Sequence, residues 1–225
     1  MDLTVIRHGE GSNNLPTFRP GDVPDNEVPL TSNGVFQAVQ LGQWLVKSFH
    51  LHDCVEVTST FLRAKETRRL AQLSSSCLIC HDNLDEHFFG AYMSRNPPNI
   101  IQRTQFDLDF AQQIALRAPE GSSILDDYFQ SQQFIQSLFR IFPHRQVVLY
   151  THRFRAMVLR MVLEGLPPTD QGWQRIYREK EALGNCSVIH YPDALDADGQ
   201  MTIVNHPYQP KDALVYRPYA SILDH

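Results

Sequence analysis

Four short apolar runs in this chain each end in a residue suited to handling a phosphate. Leu3, Val5 and Ile6 lead into Arg7-His8-Gly9-Glu10. The run 54–57 passes through Thr58-Ser59-Thr60 to Arg63, the run 77–80 is followed by Leu84-Asp85-Glu86, and 146–150 ends at Thr151-His152. In α/β proteins ligands sit beyond the carboxyl ends of the strands, where side chains and unpaired backbone N–H groups face a crevice. Arginine brings a planar fork of donors that matches phosphate oxygens, and a neutral imidazole serves as nucleophile or base. A carboxyl group adds the general acid or base that a phosphate ester needs.

The elements that must position these residues follow from the hydrophobic pattern. Thr31 reads as an N-cap, opening a helix to about residue 50 with Val35, Val39, Gly42, Val46 and Phe49 near helical spacing. Helices are predicted over 61–73, over 105–116 and from Ser122 or Ser123 onward, the last with Leu125, Phe129, Ile135, Leu138, Phe139 and Phe142 on its apolar stripe. Others are predicted over 154–163 and through Trp173, and late strands over 186–191 and 201–204. Segment 15–29 reads as a loop, and no regular structure is assigned after His206. Strands alternating with helices predict an α/β three-layer sandwich with a largely parallel central sheet. At 225 residues the chain is expected to form one domain, 1–225, with an insertion at about 87–119 lying over the strand ends.

The bulk composition is ordinary, with 42% hydrophobic and 20% charged residues and a formal net charge of −5. That charge gives no reason to expect nucleic acid or an anionic membrane as partner, so an anionic ligand must be held by local Arg and His. No run reaches a membrane-spanning length, and the first strand leaves no room for a signal peptide, which predicts a cytoplasmic protein that is a monomer or a homodimer. Four cysteines in such a chain read as free thiols. Cys77-Leu78-Ile79-Cys80-His81 has the spacing of a haem-attachment or redox motif, but it lies along a predicted strand rather than opening a helix. No metal-ligand spacing stands out among the ten His.

Taken together, the segments resemble the histidine phosphatase superfamily, the phosphoglycerate mutase-like proteins. The resemblance rests on Arg7-His8-Gly9-Glu10 with Asn14, Pro29-Leu30-Thr31 with Gly34, Gln37 and Ala38, and Ser59 to Ala64 with Thr67. It continues through Leu84-Asp85-Glu86 with Phe89-Gly90, Val148 to His152, and Asn185 to Val188. It implies a phosphoglycerate mutase-like fold and a metal-independent, cofactor-free phosphatase acting on a small phosphomonoester. His8 would be the nucleophile that becomes a phosphohistidine, and Glu86 the acid and then the base. Arg7, Arg63 and His152 would hold the phosphoryl oxygens, with Asn14 and Arg153 as further contacts. Phosphoglycerate mutase-type transfer, or a non-catalytic phospho-ligand binder of the same fold, are the alternatives. Two departures stand out: Arg153 follows the second histidine where the family usually has Gly, and the 119–123 segment lacks a Glu often found before its last Ser.

Overall fold

The computed structural model describes residues 1–19, 21–49, 51–93, 100–180 and 183–192. The predicted strand at 201–204 and the tail after His206 lie outside the described residues. By sequence Arg95, Arg103, Arg153 and Arg155 are either readers of a second anionic group or solvated charges; the structural surroundings of Arg95 and the side chain of Arg103 also lie outside the described residues.

Five strands form one sheet: β1 (Asp2–Arg7), β2 (Cys54–Thr58), β3 (Ser75–Cys80), β4 (Gln146–Thr151) and β5 (Val188–Tyr191). Their order is β3-β2-β4-β1-β5. The first four are mutually parallel, and β5 runs antiparallel along β1 at the edge. The register pairs Arg7 with Thr151 and Thr58 with Tyr150, so the carboxyl ends of β1, β2 and β4 finish at one level. That common edge brings residues from distant parts of the chain to one crevice.

Alternation along the central strands feeds two apolar layers. Leu3, Val5, Val55, Val57, Val147 and Leu149 face one side, against α4 (Ile124–Ile141), α5 (Arg153–Leu163) and α6 (Asp170–Tyr177). Ile6, Val148, Tyr150 and Val188 face the other, against α1 (Ser32–Phe49) and α2 (Leu62–Ala71). The β1 and β4 strands, buried along nearly their whole length, read as continuous apolar runs for this reason. Cys77 and Cys80 fall on opposite faces of the edge strand β3, Cys77 half-buried and Cys80 exposed.

Two helix stripes differ from the sequence expectation. Val35 and Val46 are exposed, and α1 instead buries Gly34, Gln37, Ala38, Leu41, Gly42 and Leu45. Packing of α1 on α2 turns the helix by about one residue, because Gly42 lets the backbones approach until an added Cβ would strike the Ala71 carbonyl. On α4, Phe129 is exposed while Tyr128, Ser131 and Phe134 turn inward. The polar members of that face exist to meet Arg155, as described below. Ser123 caps α4 by accepting from the Asp126 N–H, and the Asp126 carboxylate accepts in return from the Ser123 N–H. The helix expected over 105–116 lies earlier, as α3 (Ile100–Phe110). Residues past Phe110 form turns, tied down where the Ile114 N–H donates to Asp170.

The buried Arg155 ties α5 to α4 and to the turn at Asp85. Its guanidinium donates to the Asp85 carbonyl, the Ser131 hydroxyl and the Asp127 carboxylate, which also accepts from His87 at 2.7 Å. Removing Asp127 leaves a buried, uncompensated cation, a change that costs about 3–5 kcal/mol. Asp127→Ala is therefore expected to lower the urea midpoint strongly, and Asp127→Asn less. Equal midpoints for Asp127→Ala and the parent chain would mean that the pair carries no stability.

Candidate active site

Each functional side chain sits where a strand hands over to a turn. Arg7 ends β1 and His8 follows it, His152 follows β4 as the N-cap residue of α5, and Arg63 lies in the first turn of α2. All four are buried. The rings of His8 and His152 lie 5.0 Å apart, and the Arg63 Nε–H donates to His8 Nε2 at 3.3 Å. The turn after β1 depends on close backbone packing: a Cβ on Gly9 would stand 2.7 Å from the Gly34 carbonyl oxygen, and one on Gly34 would overlap the Glu10 carbonyl.

Hydrogen bonds fix the state of His8. Its Nδ1 lies 2.6 Å from the Gly9 carbonyl, an acceptor only, so Nδ1 carries the proton and Nε2 presents a lone pair. Burial, then the charges of Arg63 and Arg7, hold the imidazole neutral well below its ordinary pKa. A buried, neutral imidazole with a bare nitrogen beside a guanidinium has the form that a nucleophile requires.

The cationic surroundings are dense. Arg7 Nη1 donates to the Leu183 carbonyl at 2.6 Å, and burial followed by the Arg153 charge pushes its pKa down to about 9. Arg63 pairs with the Asp25 carboxylate at 3.0 Å and packs over the Phe61 ring. Three buried polar atoms here have no hydrogen-bond partner among the described residues: Arg7 Nε, Arg153 Nε and His152 Nδ1. Buried polar groups are almost always satisfied, and these are grouped around charges that repel one another. A bound anion would accept from the two guanidinium donors and offset the charges around them.

Glu86 lies under the first turn of α5. Its Oε1 accepts from the N–H groups of His87, Phe154 and Arg155, at 2.9, 3.1 and 3.3 Å. Two of these are the unpaired donors that open a helix, which explains how the carboxyl is held so firmly. Burial raises its pKa above the ordinary carboxylate value, outweighing the backbone donor and the Arg63 charge that oppose it. Because all three donors converge on Oε1, Oε2 is the oxygen suited to carry and release a proton.

Asn14 stands at the edge of this arrangement. It is exposed, and its Oδ1 accepts from the Gly11 N–H, closing the turn after β1. Arg155, which from sequence alone is a candidate reader of a second anion, is instead committed to Asp127, Ser131 and the Asp85 carbonyl. Sequence reasoning missed the Ser59–Asp85 connection to His152. Ser59 Oγ lies 2.8 Å from His152 Nε2 and 2.6 Å from Asp85 Oδ1. Asp85 stands next to Glu86 in sequence, and no periodicity marks it.

The site opens into a cleft of about 760 Å³ lined by Val23, Pro24, Asp25, Phe61, Glu86, Phe88 and Glu120 among others. No group of His, Cys, Asp and Glu with metal-binding geometry occurs among the described residues. Among them also no helix is long and apolar enough to cross a membrane.

Fold and site define an α/β protein with two buried histidines and two buried arginines gathered at the strand ends. The chain matches the model of the histidine phosphatase superfamily (branch 1) over residues 3–192, and it belongs to that family. Phosphoglycerate mutase-like protein AT74 of Arabidopsis thaliana is 26% identical over 157 residues, which cover 61% of this chain and 46% of the relative. The chain thus spans about half the length of that curated relative. Mycobacterial glucosyl-3-phosphoglycerate phosphatase, solved as its complex with VO3, superposes with a TM-score of 0.65 at 22% identity, over 84% of this chain and 91% of that one. The alpha-ribazole phosphatase of Shigella flexneri gives a TM-score of 0.62 at 20% identity, over 96% and 95%. At these identities the two structures show the shared fold.

Proposed function

We propose that the protein hydrolyses a small phosphomonoester through a phosphohistidine on His8. The observation that carries this reading is the state of His8: a neutral ring with its Nδ1 proton given to Gly9 and its bare Nε2 turned to Arg63. In-line attack by Nε2 forms the N–P bond and expels the alcohol. Arg7, Arg63, Arg153 and His152 hold the equatorial oxygens where charge accumulates in the transition state. Glu86 protonates the departing oxygen and then draws a proton from the water that cleaves the phosphohistidine. Asn14, through its amide, adds an outer contact. We take the start of the 87–119 segment as part of the cover of the cleft, since Phe88, Gly90 and Ala91 line it.

Hydrolysis is favoured over mutase-type transfer by what lines that cleft. A phosphoglycerate carries further anionic groups on its leaving alcohol. The described lining offers carboxylates at Asp25, Asp85 and Glu120 and apolar walls at Val23, Pro24, Phe61 and Phe88. Like charges facing such a leaving group raise its free energy. Four unpaired cysteines suit a reducing, cytoplasmic setting.

Purified protein is expected to hydrolyse 4-nitrophenyl phosphate and to form no 2-phosphoglycerate from 3-phosphoglycerate. Activity is expected to survive exhaustive chelation, because three guanidinium groups supply the positive charge that a divalent ion supplies elsewhere. Loss of turnover on chelation with recovery on adding a divalent cation would overturn the metal-independent reading. Phosphate exchange between phosphoglycerates would move the protein to the mutases, and ligand binding without turnover would leave it a non-catalytic phospho-ligand binder.

A further inference from the structure

The hydrogen bonds behind His152 form a closed count. Ser59 Oγ has one proton and two acceptor positions. Asp85, as a carboxylate, only accepts, and it takes the Ser59 proton at 2.6 Å while also accepting from the Thr60 N–H and hydroxyl, each at 2.7 Å. The Phe61 N–H donates to the same Ser59 oxygen at 3.1 Å. One acceptor position remains, and it faces His152 Nε2 at 2.8 Å. With no second proton on Ser59, that contact requires Nε2 to be the donor. Neutral His152 is therefore protonated at Nε2 and bare at Nδ1, the buried atom with no partner. His8 and His152 hold opposite tautomers.

A bare Nδ1 repels a phosphoryl oxygen rather than binding it. Resting on the phosphatase reading above, we propose that Asp85, acting through Ser59, is a positioning residue that makes anion binding at His152 conditional on proton uptake at Nδ1. In this account the proton arrives with a monoanionic phosphate or from solvent, it settles on Nδ1, and the resulting imidazolium donates to the oxygen. Asp85 stabilises that cation from behind, through Ser59. The groups that bear on His152 are Arg63 from α2, His8 and Arg7 from the end of β1, Arg155 from α5, and Asp85 from the turn before Glu86. Burial, then the neighbouring guanidinium groups, keep the ring neutral. The bound anion offsets those charges, so the imidazolium forms only when the pocket is filled. The His–Ser–Asp chain thus makes the second histidine an acceptor at rest and a donor in the complex.

The test uses the full chain with its histidines ¹⁵N-labelled, His152 being assigned by the signals lost in His152→Gln. In the free protein His152 is expected as the Nε2–H tautomer, and on adding inorganic phosphate both of its nitrogens should become protonated. Asp85→Asn keeps the acceptor oxygen for Ser59 and removes the charge. It is expected to weaken phosphate binding about tenfold at neutral pH, equivalent to about one unit in the pKa of bound His152. The deficit should fade as pH is raised above the pKa of the bound ring, where neither complex takes up the proton, and be fullest at lower pH, where both complexes are protonated and the free ring is still neutral. Comparing the two proteins at each pH cancels the ionisation of phosphate itself. Ser59→Ala should release the tautomer, and Ser59→Thr should restore it. An Nδ1–H tautomer in the free protein, or a loss in Asp85→Asn that is constant with pH, would overturn the relay. If the protein binds no phosphate, the tautomer in the free protein still decides the relay, and that failure belongs to the phosphatase reading alone.

Discussion

His8→Ala is expected to lose turnover by roughly 10⁵-fold or more, the scale seen when a nucleophile is removed from an otherwise complete site. Arg7, Arg63 and His152 would still bind phosphate, so affinity for the product should change far less than the rate. Chemistry stops because no other described side chain in the cradle combines a bare ring nitrogen with a bond that fixes it there, except His152. The parent protein, quenched in mid-turnover, should carry an acid-labile, base-stable phosphoryl group that His8→Ala lacks. Folding is expected to persist. The substitution leaves the Gly9 carbonyl without its imidazole partner, a cost of about 1–3 kcal/mol, within the margin of a domain this size. Circular dichroism and a melting curve would separate lost chemistry from lost fold. Near-normal turnover would remove His8 from the role. A label that persists in His8→Ala and disappears in His152→Ala would transfer the nucleophile to the second histidine.

Glu86→Gln should separate the two halves of the reaction. The amide oxygen of Gln can still accept the three N–H groups of His87, Phe154 and Arg155, so the start of α5 stays anchored. What is lost is the proton. An alkyl alkoxide leaves badly without one, so hydrolysis of an alkyl phosphate is expected to slow by about 10²–10⁴-fold. Nitrophenolate leaves unaided, and formation of the phosphohistidine from its ester should be nearly unaffected. Attack of water on the intermediate then lacks its base. Rapid mixing with 4-nitrophenyl phosphate is expected to show a burst of about one nitrophenol per protein molecule, followed by slow turnover. Equal losses on both esters without a burst would reduce Glu86 to an anchor for α5. The neighbouring carboxylates would not readily replace it: Asp85 is engaged by Ser59 and Thr60, and Glu10 by Thr31 and Asn33. Asp25 and Glu120 in the cleft would then be the candidates.

The sequence by itself determined the frame. Apolar runs of strand length alternating with helical periods required a mostly parallel sheet with covered faces. The residue types at the run ends marked Arg7, His8, Arg63, Glu86 and His152 before any contact was known. Helix stripes were legible only to within a residue or so. Periodicity gives a helix a face but not its rotation, and on α1 the close approach at Gly42 sets that rotation, leaving Val35 and Val46 outside. Arg155 shows the same limit more sharply. Two residues after Arg153 it looked like another anion reader, and only packing against α4 gives it Asp127 and Ser131 as partners.

Protonation was wholly a matter of tertiary structure. No sequence pattern says which nitrogen of His8 carries hydrogen. The Gly9 carbonyl decides it, because an acceptor 2.6 Å away leaves no other choice. The state of His152 depends on Ser59 and Asp85, residues 93 and 67 positions away, through a hydroxyl that has one proton to give. The pKa of Glu86 is raised by burial under α5, which no local composition reveals. The chain's residue types set which chemistry was available. Desolvation, and hydrogen bonds closed across the sheet, decided which atoms hold the protons that perform it.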